Sequence, residues 1–475
     1  MDKSKVVCVF LAAILAVGLF ASSANGCYAV VVGKEASTDG AVLLGHNEQN
    51  VGQRFLNFRK IPRIKHKDGE TIRLRGGARI PQVKESYAFL WSENPGIAYS
   101  DGYLNEWGVA VVTDGCPDRA EELRKLEAEG QLVKGGIAYM LRRLIAERAK
   151  TAREGVQIAG ELIERVGYPS SRTLVIADSK EAWLLSMSRG KHWVAQRVPD
   201  DAVALLPNVY IIGEVNLKDT TSFLGSQDLV EYAVKKGWYD PAGGERFSFS
   251  KAYGQQQKRL MDERQWRGQC LVTGEDIEQE PDRRLPFSVK PAHKLSVKDV
   301  IKILRCHGKG GVCKEATQEA AVFQLRSNMP VDIGCIYWRS SAEPCISVLT
   351  PWYCGITGTP REYYKPVGVK ENLTLKFHFS ESSEKFKPDD RHAWWVFKGL
   401  QDKVRADYEN RIGIVRAVWD EYEAELFADQ SAVESRALKL YRKNKSAARD
   451  YLTDYSRNVA LRAVRKARGL AKRLK

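Results

Sequence analysis

The chain has no Cys-x-x-Cys pair and its seven histidines are scattered, which argues against a zinc site. It also lacks a Gly-x-Ser-x-Gly elbow, a His-Glu-x-x-His helix and a Walker phosphate loop. Three common catalytic frameworks are thereby removed. The Gly-rich run His307-Gly308-Lys309-Gly310-Gly311 has neither the following Ser/Thr nor the strand context of a phosphate loop, and reads as a plain loop. Past residue 26, no apolar run approaches the ~20 residues that a membrane span needs. Acid is absent from residues 456–475, which hold eight Lys or Arg, so roughly half of the formal charge of +15 sits in one terminal helix. A basic balance suggests nucleic acid or anionic membrane as partner. Concentrated at one end of the chain, it argues for no nucleic-acid partner and leaves weak contact with an anionic membrane surface. Leu461, Val464, Leu470 and Leu474 are too few for deep insertion; the plainer reading is one packed and one solvated helix face. No feature sets the oligomeric state.

What is present begins at the N-terminus. Lys3 and Lys5 precede an uncharged apolar run from Val6 to Ala21, followed by Ser22, Ser23, Ala24, Asn25 and Gly26. Basic, apolar, then small is the order of a secretory signal, so residues 1–26 are expected to be removed and the protein to act outside the cytoplasm, periplasmic or extracellular. An uncleaved N-terminal anchor is the alternative. Export makes disulfides possible for the cysteines beyond the signal: Cys27, Cys116, Cys270, Cys306, Cys313, Cys335, Cys345 and Cys354. Spacing assigns no pairs, and if Cys27 is a free thiol, one of the other seven lacks a partner within the chain. Asn372-Leu373-Thr374 and Asn444-Lys445-Ser446 are glycosylation acceptors only in a host that secretes through an endoplasmic reticulum.

Hydrophobic patterning predicts strands at 28–32, 41–45, 86–91, 108–113, 173–177, 182–187, 192–198 and 209–212, with a turn at Ser37–Gly40. Ile137, Met140, Leu141, Leu144 and Ile145 repeat at helical spacing. Thr151 and Glu154 then read as a capping box opening a second helix that ends at Gly167. A further β section spans 316–352, including Cys335–Trp338 and Ile346–Leu349, and from about 390 the pattern is helical to the end. Layered α and β fits better than simple βαβ alternation.

Cys27 follows the signal directly. It has three readings: a structural or disulfide cysteine, a lipid-anchor site, or a nucleophile exposed by processing. The lipid reading wants a Leu-like residue where Ala24 stands. Ala24 and Gly26 instead suit the −3 and −1 positions of a signal-peptidase site, and cutting there makes Cys27 the first residue. An N-terminal cysteine carries its own general base, because its α-amino group has an ordinary pKa of about 7.7–8 and sits on the adjacent carbon.

The segment Cys27-(x)4-Val32-Gly33-Lys34-x-Ala36-Ser37-x-Asp39-Gly40, followed by Gly45-His46-Asn47-Glu48, resembles the start of the bacterial dipeptidases related to secernins. These are cysteine-type N-terminal-nucleophile (Ntn) hydrolases, more distantly similar to bile-salt hydrolases and penicillin V acylases. The resemblance runs on through Asn105-Glu106-Trp107-Gly108-Val109, Lys191-His192-Trp193-Val194-Ala195, Pro207-Asn208 and Val322-Phe323-Gln324-Leu325-Arg326. It implies an α+β fold, a four-layer αββα sandwich over residues 27–365, with a helical extension, 366–475, packed on it. It implies hydrolysis of dipeptides through an acyl-enzyme on Cys27, with no metal and no cofactor. It also implies that Asn208 points its amide into the site, against a turn role after Pro207, and that Arg264 lies beside the nucleophile, against a solvated helix charge. Asn105 reads as holding a turn.

Three positions depart from the related enzymes. His46 stands where an arginine beside the nucleophile is common. Gln49 stands where an acid near the α-amino group is expected, and Gly115 where an asparagine donates to the oxyanion. Loss of one such donor typically costs about 10²–10³ in turnover. An N-acyl amide hydrolase of the bile-salt or penicillin V kind, and a weakly active or non-catalytic member of the fold, are therefore alternatives to the dipeptidase.

Overall fold

The computed structural model describes residues 26–49, 55–74, 77–94, 101–132, 136–137, 140–256, 260–365 and 388–474. Residues 1–25 of the expected signal, and Asn372, lie outside these. Two antiparallel sheets carry the fold. The first runs, edge to edge, Ser288–Val289, Val203–Leu206, β1 (Tyr28–Val32), β2 (Val42–Gln49), Thr317–Leu325, Cys335–Ser341 and Thr350–Tyr353. The second runs Phe223–Gly225, Trp193–Arg197, Ala182–Met187, Arg172–Ala177, Ala110–Gly115, Tyr103–Asn105, Phe89–Glu93 and Asn57–Ile61.

The two-residue period of the strands decides the layers. Val112, Val175, Leu184 and Val194 of the second sheet join Val31 and Leu44 of the first in one apolar cluster. Their alternates, Val111, Ile176, Leu185 and Ala195, join Leu141, Leu144, Val156 and Ile163 in another. The second sheet thus packs its inner face on the first sheet and its outer face on the helices Met140–Arg148 and Ala152–Val166. Helices Glu263–Thr273 and Val297–Leu304 cover the outer face of the first sheet near β1 and β2, and the C-terminal helices cover it farther along. The layer order is αββα, as the family resemblance implied.

Helix termini follow their residues. Thr151 accepts a hydrogen bond from the Glu154 amide, and Gly167, at φ 77°, closes the helix. The Glu154 carboxylate takes the Lys150 amide rather than completing the box on Thr151. Gly268 is a packing requirement: a Cβ there would meet the Tyr28 hydroxyl at 2.2 Å, so only glycine lets its helix lie this close to β1.

The C-terminal region forms helices Ala393–Arg405, Tyr408–Lys443 and Lys445–Arg473. Leu400, Trp419, Leu452 and Leu470 belong to the same apolar cluster as β1. Arg305–Glu423 and Arg326–Glu434 add buried ion pairs that fix where the long helix sits. Val464, Leu470 and Leu474 face inward, while Arg457, Arg468 and Lys472 lie on the outer face. The Asn444 side chain caps the last helix by accepting from the Ser446 and Ala447 amides.

Two predicted strands are absent. Residues 209–212 are buried loop, and the strand lies earlier, at Val203–Leu206. Ile346–Leu349 is a turn ahead of Thr350–Tyr353. Periodicity reports burial, and a buried loop whose backbone finds partners reads the same way. Here the Ser250 amide donates to the Ile212 carbonyl, and the Phe249 amide to that of Gly213. No helix among the described residues is long and apolar enough to cross a membrane.

Candidate active site

Cys27 lies at the entry to β1 and is 6 % exposed. The pairing of β1 with β2 sets Ala29 opposite His46 and Tyr28 opposite Asn47, so Glu48 falls level with Cys27. On the other side of β1, Ala29 pairs with Leu206, which brings Asn208 level with Cys27 as the chain leaves that strand. Register alone therefore gathers Cys27, His46, Glu48 and Asn208.

Alternation along β2 then splits four polar residues between two environments. His46 and Glu48 face the second sheet. The Cys27 thiol is 3.4 Å from Glu48 Oε1, and His46 Nε2 is 3.1 Å from Asp114 Oδ1 on the Ala110–Gly115 strand. Asn47 and Gln49 face the opposite way and both donate to the Val312 carbonyl, at 3.1 and 2.7 Å. Gln49 also donates to Thr317 Oγ1. Gln49 thus lines the thiol through its main chain, its amide donating to Sγ at 3.5 Å, while its side chain braces the Val312 loop. The acid beside the Cys27 thiol is Glu48.

Arg264 occupies the first turn of helix Glu263–Thr273, whose cap residue Asp262 accepts from the Arg264 and Gln265 amides. Its Nη1 donates to the carbonyl of Gly26 at 3.1 Å, to Asn208 Oδ1 at 2.9 Å and to the carbonyl of Cys27 at 3.4 Å. Asn208 Nδ2 in turn donates to the Gly115 carbonyl at 2.9 Å. Cys27, Asn208, Arg264 and Gly115 are therefore linked in one cluster. With Gly26 attached, the Cys27 nitrogen is an amide. A Cβ on Gly26 would fall 1.9 Å from Asn208 Oδ1, so glycine is the residue that fits ahead of the cysteine. Gly115 has open space: the nearest atom to a Cβ there is Asn208 Nδ2, at 4.0 Å.

Charge in the cluster is dense and mixed. Burial pushes the Cys27 thiol well above its ordinary pKa, Glu48 and Asp114 push it further, and the Gln49 amide and the Arg172 charge oppose them. Burial would lower His46, but the Asp114 hydrogen bond and charge, with Glu48 and Glu319 behind, raise it on balance. Glu48 is raised by burial, opposed by His46 and Arg142. Asp101, buried at φ 33°, is raised by burial and by Glu48. The ligand atoms of Cys27, His46 and Glu48 also lie within 4.8 Å of one another, as do those of His307, Cys313, Glu343 and Cys345 at a second place. The eight cysteines from Cys27 onward are unbridged thiols.

Sequence reasoning passed over Glu48, Asp101, Arg142 and Arg172. Glu48 had a signal, since two-residue spacing from His46 puts it on the same strand face. Asp101, Arg142 and Arg172 are distant in sequence from Cys27 and had none. Asn105 does hold a turn: its side chain accepts from the Trp107 and Val109 amides and donates to the carbonyls of Ala146 and Ala149.

A buried thiol between two sheets, ringed by a carboxylate, an imidazole, an asparagine and an arginine, is a cysteine hydrolase's equipment. The model of peptidase family C69 matches residues 26–313, more than half of the sequence, and the chain belongs to that family. It is 24 % identical to a probable dipeptidase of Latilactobacillus sakei, over 87 % of this chain and 89 % of that protein. It is 27 % identical to a probable dipeptidase of Salmonella dublin, over 72 % and 82 % respectively. Among solved structures, a mutant of conjugated bile acid hydrolase from Clostridium perfringens is similar at 9 % identity and a TM-score of 0.34, covering 66 % of this chain and 89 % of that one.

Proposed function

We propose that this C69 peptidase is an exported dipeptidase that matures by loss of residues 1–26 and then uses Cys27 as its N-terminal nucleophile. The observation that carries the reading is the contact set around the Gly26–Cys27 junction. Arg264 donates both to the Gly26 carbonyl that precedes Cys27 and to Asn208 Oδ1, while the thiol lies against Glu48. In the chain that retains Gly26, burial favours the protonated thiol and no amine is present to take its proton. Removing the leader supplies that amine on the adjacent carbon and frees an Arg264 donor at 3.1 Å from where the Gly26 oxygen had been.

In the mature enzyme the α-amine accepts the thiol proton and the thiolate attacks the scissile carbonyl. The Arg264 guanidinium and the Asn208 amide are the groups placed to meet the developing oxyanion. The amine returns its proton to the leaving amine of the C-terminal residue, and water then cleaves the thioester. His46, held by Asp114, stands two residues from Glu48 on the same face of β2. Export rests on the segment before Cys27, and dipeptide choice on the curated relatives' names.

The test is the N-terminus of the secreted protein together with turnover on two panels, dipeptides and N-acyl amides. The reading expects a start at Cys27 with a free amine, and hydrolysis of dipeptides. A lipidated Cys27, or activity in protein that retains residues 1–26, would overturn the mechanism. Exclusive turnover of N-acyl amides would move the substrate and leave the chemistry.

A further inference from the structure

Away from Cys27, two loops that are distant in sequence bring four coordinating side chains together. The loop after helix Val297–Leu304 supplies His307 and Cys313. The loop after strand Cys335–Ser341 supplies Glu343 and Cys345. Their ligand atoms all lie within 4.8 Å of one another. Glu343 Oε1 is 3.3 Å from Cys345 Sγ and 3.6 Å from Cys313 Sγ. Four ligands at tetrahedral bond lengths of about 2.0–2.3 Å around zinc would be separated by roughly 3.3–3.8 Å. Two of the separations already stand there.

We propose that His307, Cys313, Glu343 and Cys345 form a structural site for one zinc-class divalent cation. Two thiolates, one carboxylate and one imidazole complete a tetrahedron and leave no open position, which marks a structural rather than a catalytic site. The surroundings also fit. Arg405 holds Glu343 through a two-pronged ion pair, its Nε donating to Oε2 at 2.9 Å and its Nη2 to Oε1, the oxygen that also lies against the sulfurs. Two thiolates and Glu343 carry three negative charges against two on the cation, and Arg405 balances the remainder. The Tyr408 hydroxyl lies 3.6 Å from Cys345 Sγ and 3.4 Å from His307 Nε2, the place of an outer partner that orients ligands. Cys313, Glu343 and Cys345 are buried while His307 is exposed, so the ion has an entry side. Ala342, the residue before Glu343, sits at φ 63°, a left-handed conformation that a β-carbon disfavours and that persists where surroundings over-determine it.

The site would clasp three parts of the molecule. Cys313 follows Val312, whose carbonyl receives the side chains of Asn47 and Gln49 from β2. Arg405 and Tyr408 belong to the C-terminal helices. A cation here would tie the loop that braces the catalytic strand to the helical extension. The missing Cys-x-x-Cys spacing had argued against zinc because both ligand pairs are split: His307 and Cys313 stand six apart, and Glu343 and Cys345 two apart.

The experiment uses the full secreted chain, reduced and stripped of metal, then titrated with Zn²⁺ against a chromophoric chelator, with Co²⁺ as a spectroscopic substitute. One equivalent is expected, with a thiolate-to-cobalt charge-transfer band. Cys27→Ala should keep both, because that cluster is separate. Cys313→Ala and Cys345→Ala should lose the high-affinity equivalent, and Tyr408→Phe should weaken it by about 10–100-fold. Should the cysteine variants fail to fold, His307→Ala and Tyr408→Phe, altered at the exposed side, decide the matter. No uptake by fully reduced protein, or uptake indifferent to His307 and Tyr408, would overturn the site. A Cys313–Cys345 disulfide in protein isolated without reductant, with no uptake after its reduction, would also overturn it.

Discussion

Two clusters of cysteine, histidine and glutamate stand among the described residues, and they are organised for different work. At Cys27 there is one sulfur. His46 is committed to Asp114 across the sheet gap, and an arginine reaches the neighbouring carbonyl and an asparagine beside it. At Cys313 and Cys345 there are two sulfurs, the carboxylate is held by Arg405, and the imidazole meets a tyrosine hydroxyl rather than a carboxylate among its described hydrogen bonds. The lesson is that ligand types alone do not define a site. A sulfur beside hydrogen-bond donors that can meet an oxyanion suits nucleophilic attack, whereas two sulfurs converging with a histidine and a neutralised carboxylate suit coordination.

Deleting each sulfur should separate the two most sharply. Cys27→Ala is expected to abolish peptide hydrolysis with little change in the unfolding midpoint. Cys345→Ala is expected to lower the midpoint while each folded molecule keeps most of its activity. Paired activity and thermal-unfolding measurements check this, and full activity in Cys27→Ala would end the mechanism.

The next effect concerns Gly115. Its surroundings leave room for a side chain, and its carbonyl already binds Asn208. Gly115→Asn is expected to raise turnover by up to roughly 10²-fold if an oxyanion donor is lacking, with less change in KM because the oxyanion forms only near the transition state. A loss of turnover would show that Arg264 and Asn208 already fill the need. The partner substitution, Gln49→Asp, should not tune the amine. It removes the donor to the Val312 carbonyl, and the expected result is a lower unfolding midpoint with an unmoved pH–rate profile.

A control outside both clusters is Asn105→Ala. It strips a buried turn of four hydrogen bonds and should cost about 1–3 kcal/mol for groups left unsatisfied, with activity per folded molecule unchanged. Denaturant titration measures it.

The smallest effect is a slope. His46 has its folded pKa raised by Asp114, so the folded state binds the proton more tightly than the unfolded chain. Its stabilising contribution is complete below the unfolded value of about 6.5 and is lost as pH rises through the folded value. Stability measured from about pH 6 to 9 should therefore fall, and Asp114→Asn should flatten that fall, because burial alone pushes His46 downward. An identical slope in both proteins would detach His46 from Asp114.

Much of this was legible in one dimension. The strands at 28–32, 172–177, 182–187 and 193–197, the Thr151 cap and the Gly167 stop follow from period, hydroxyl and glycine, all local physics. So does the sharing of one strand face by His46 and Glu48, although only the structure drew attention to it. The strand expected at 209–212 failed because apolar runs signal burial and not hydrogen-bond partners. Gln49 looked like a neighbour of the amine until the pleat turned it toward Val312.

The sequence by itself determined the position of Cys27 behind a small-residue junction, the family features around it and the alternation that aims each β2 side chain. Only the tertiary structure decided which distant residues meet that face. Asp101, Asp114, Arg142, Arg172, Asn208 and Arg264 come from separate strands, helices and loops, as do His307 and Cys345 at the other cluster. Backbone geometry is set by neighbours one to four residues away. A site assembled across a sheet interface depends on register and packing, which are fixed only when the layers close.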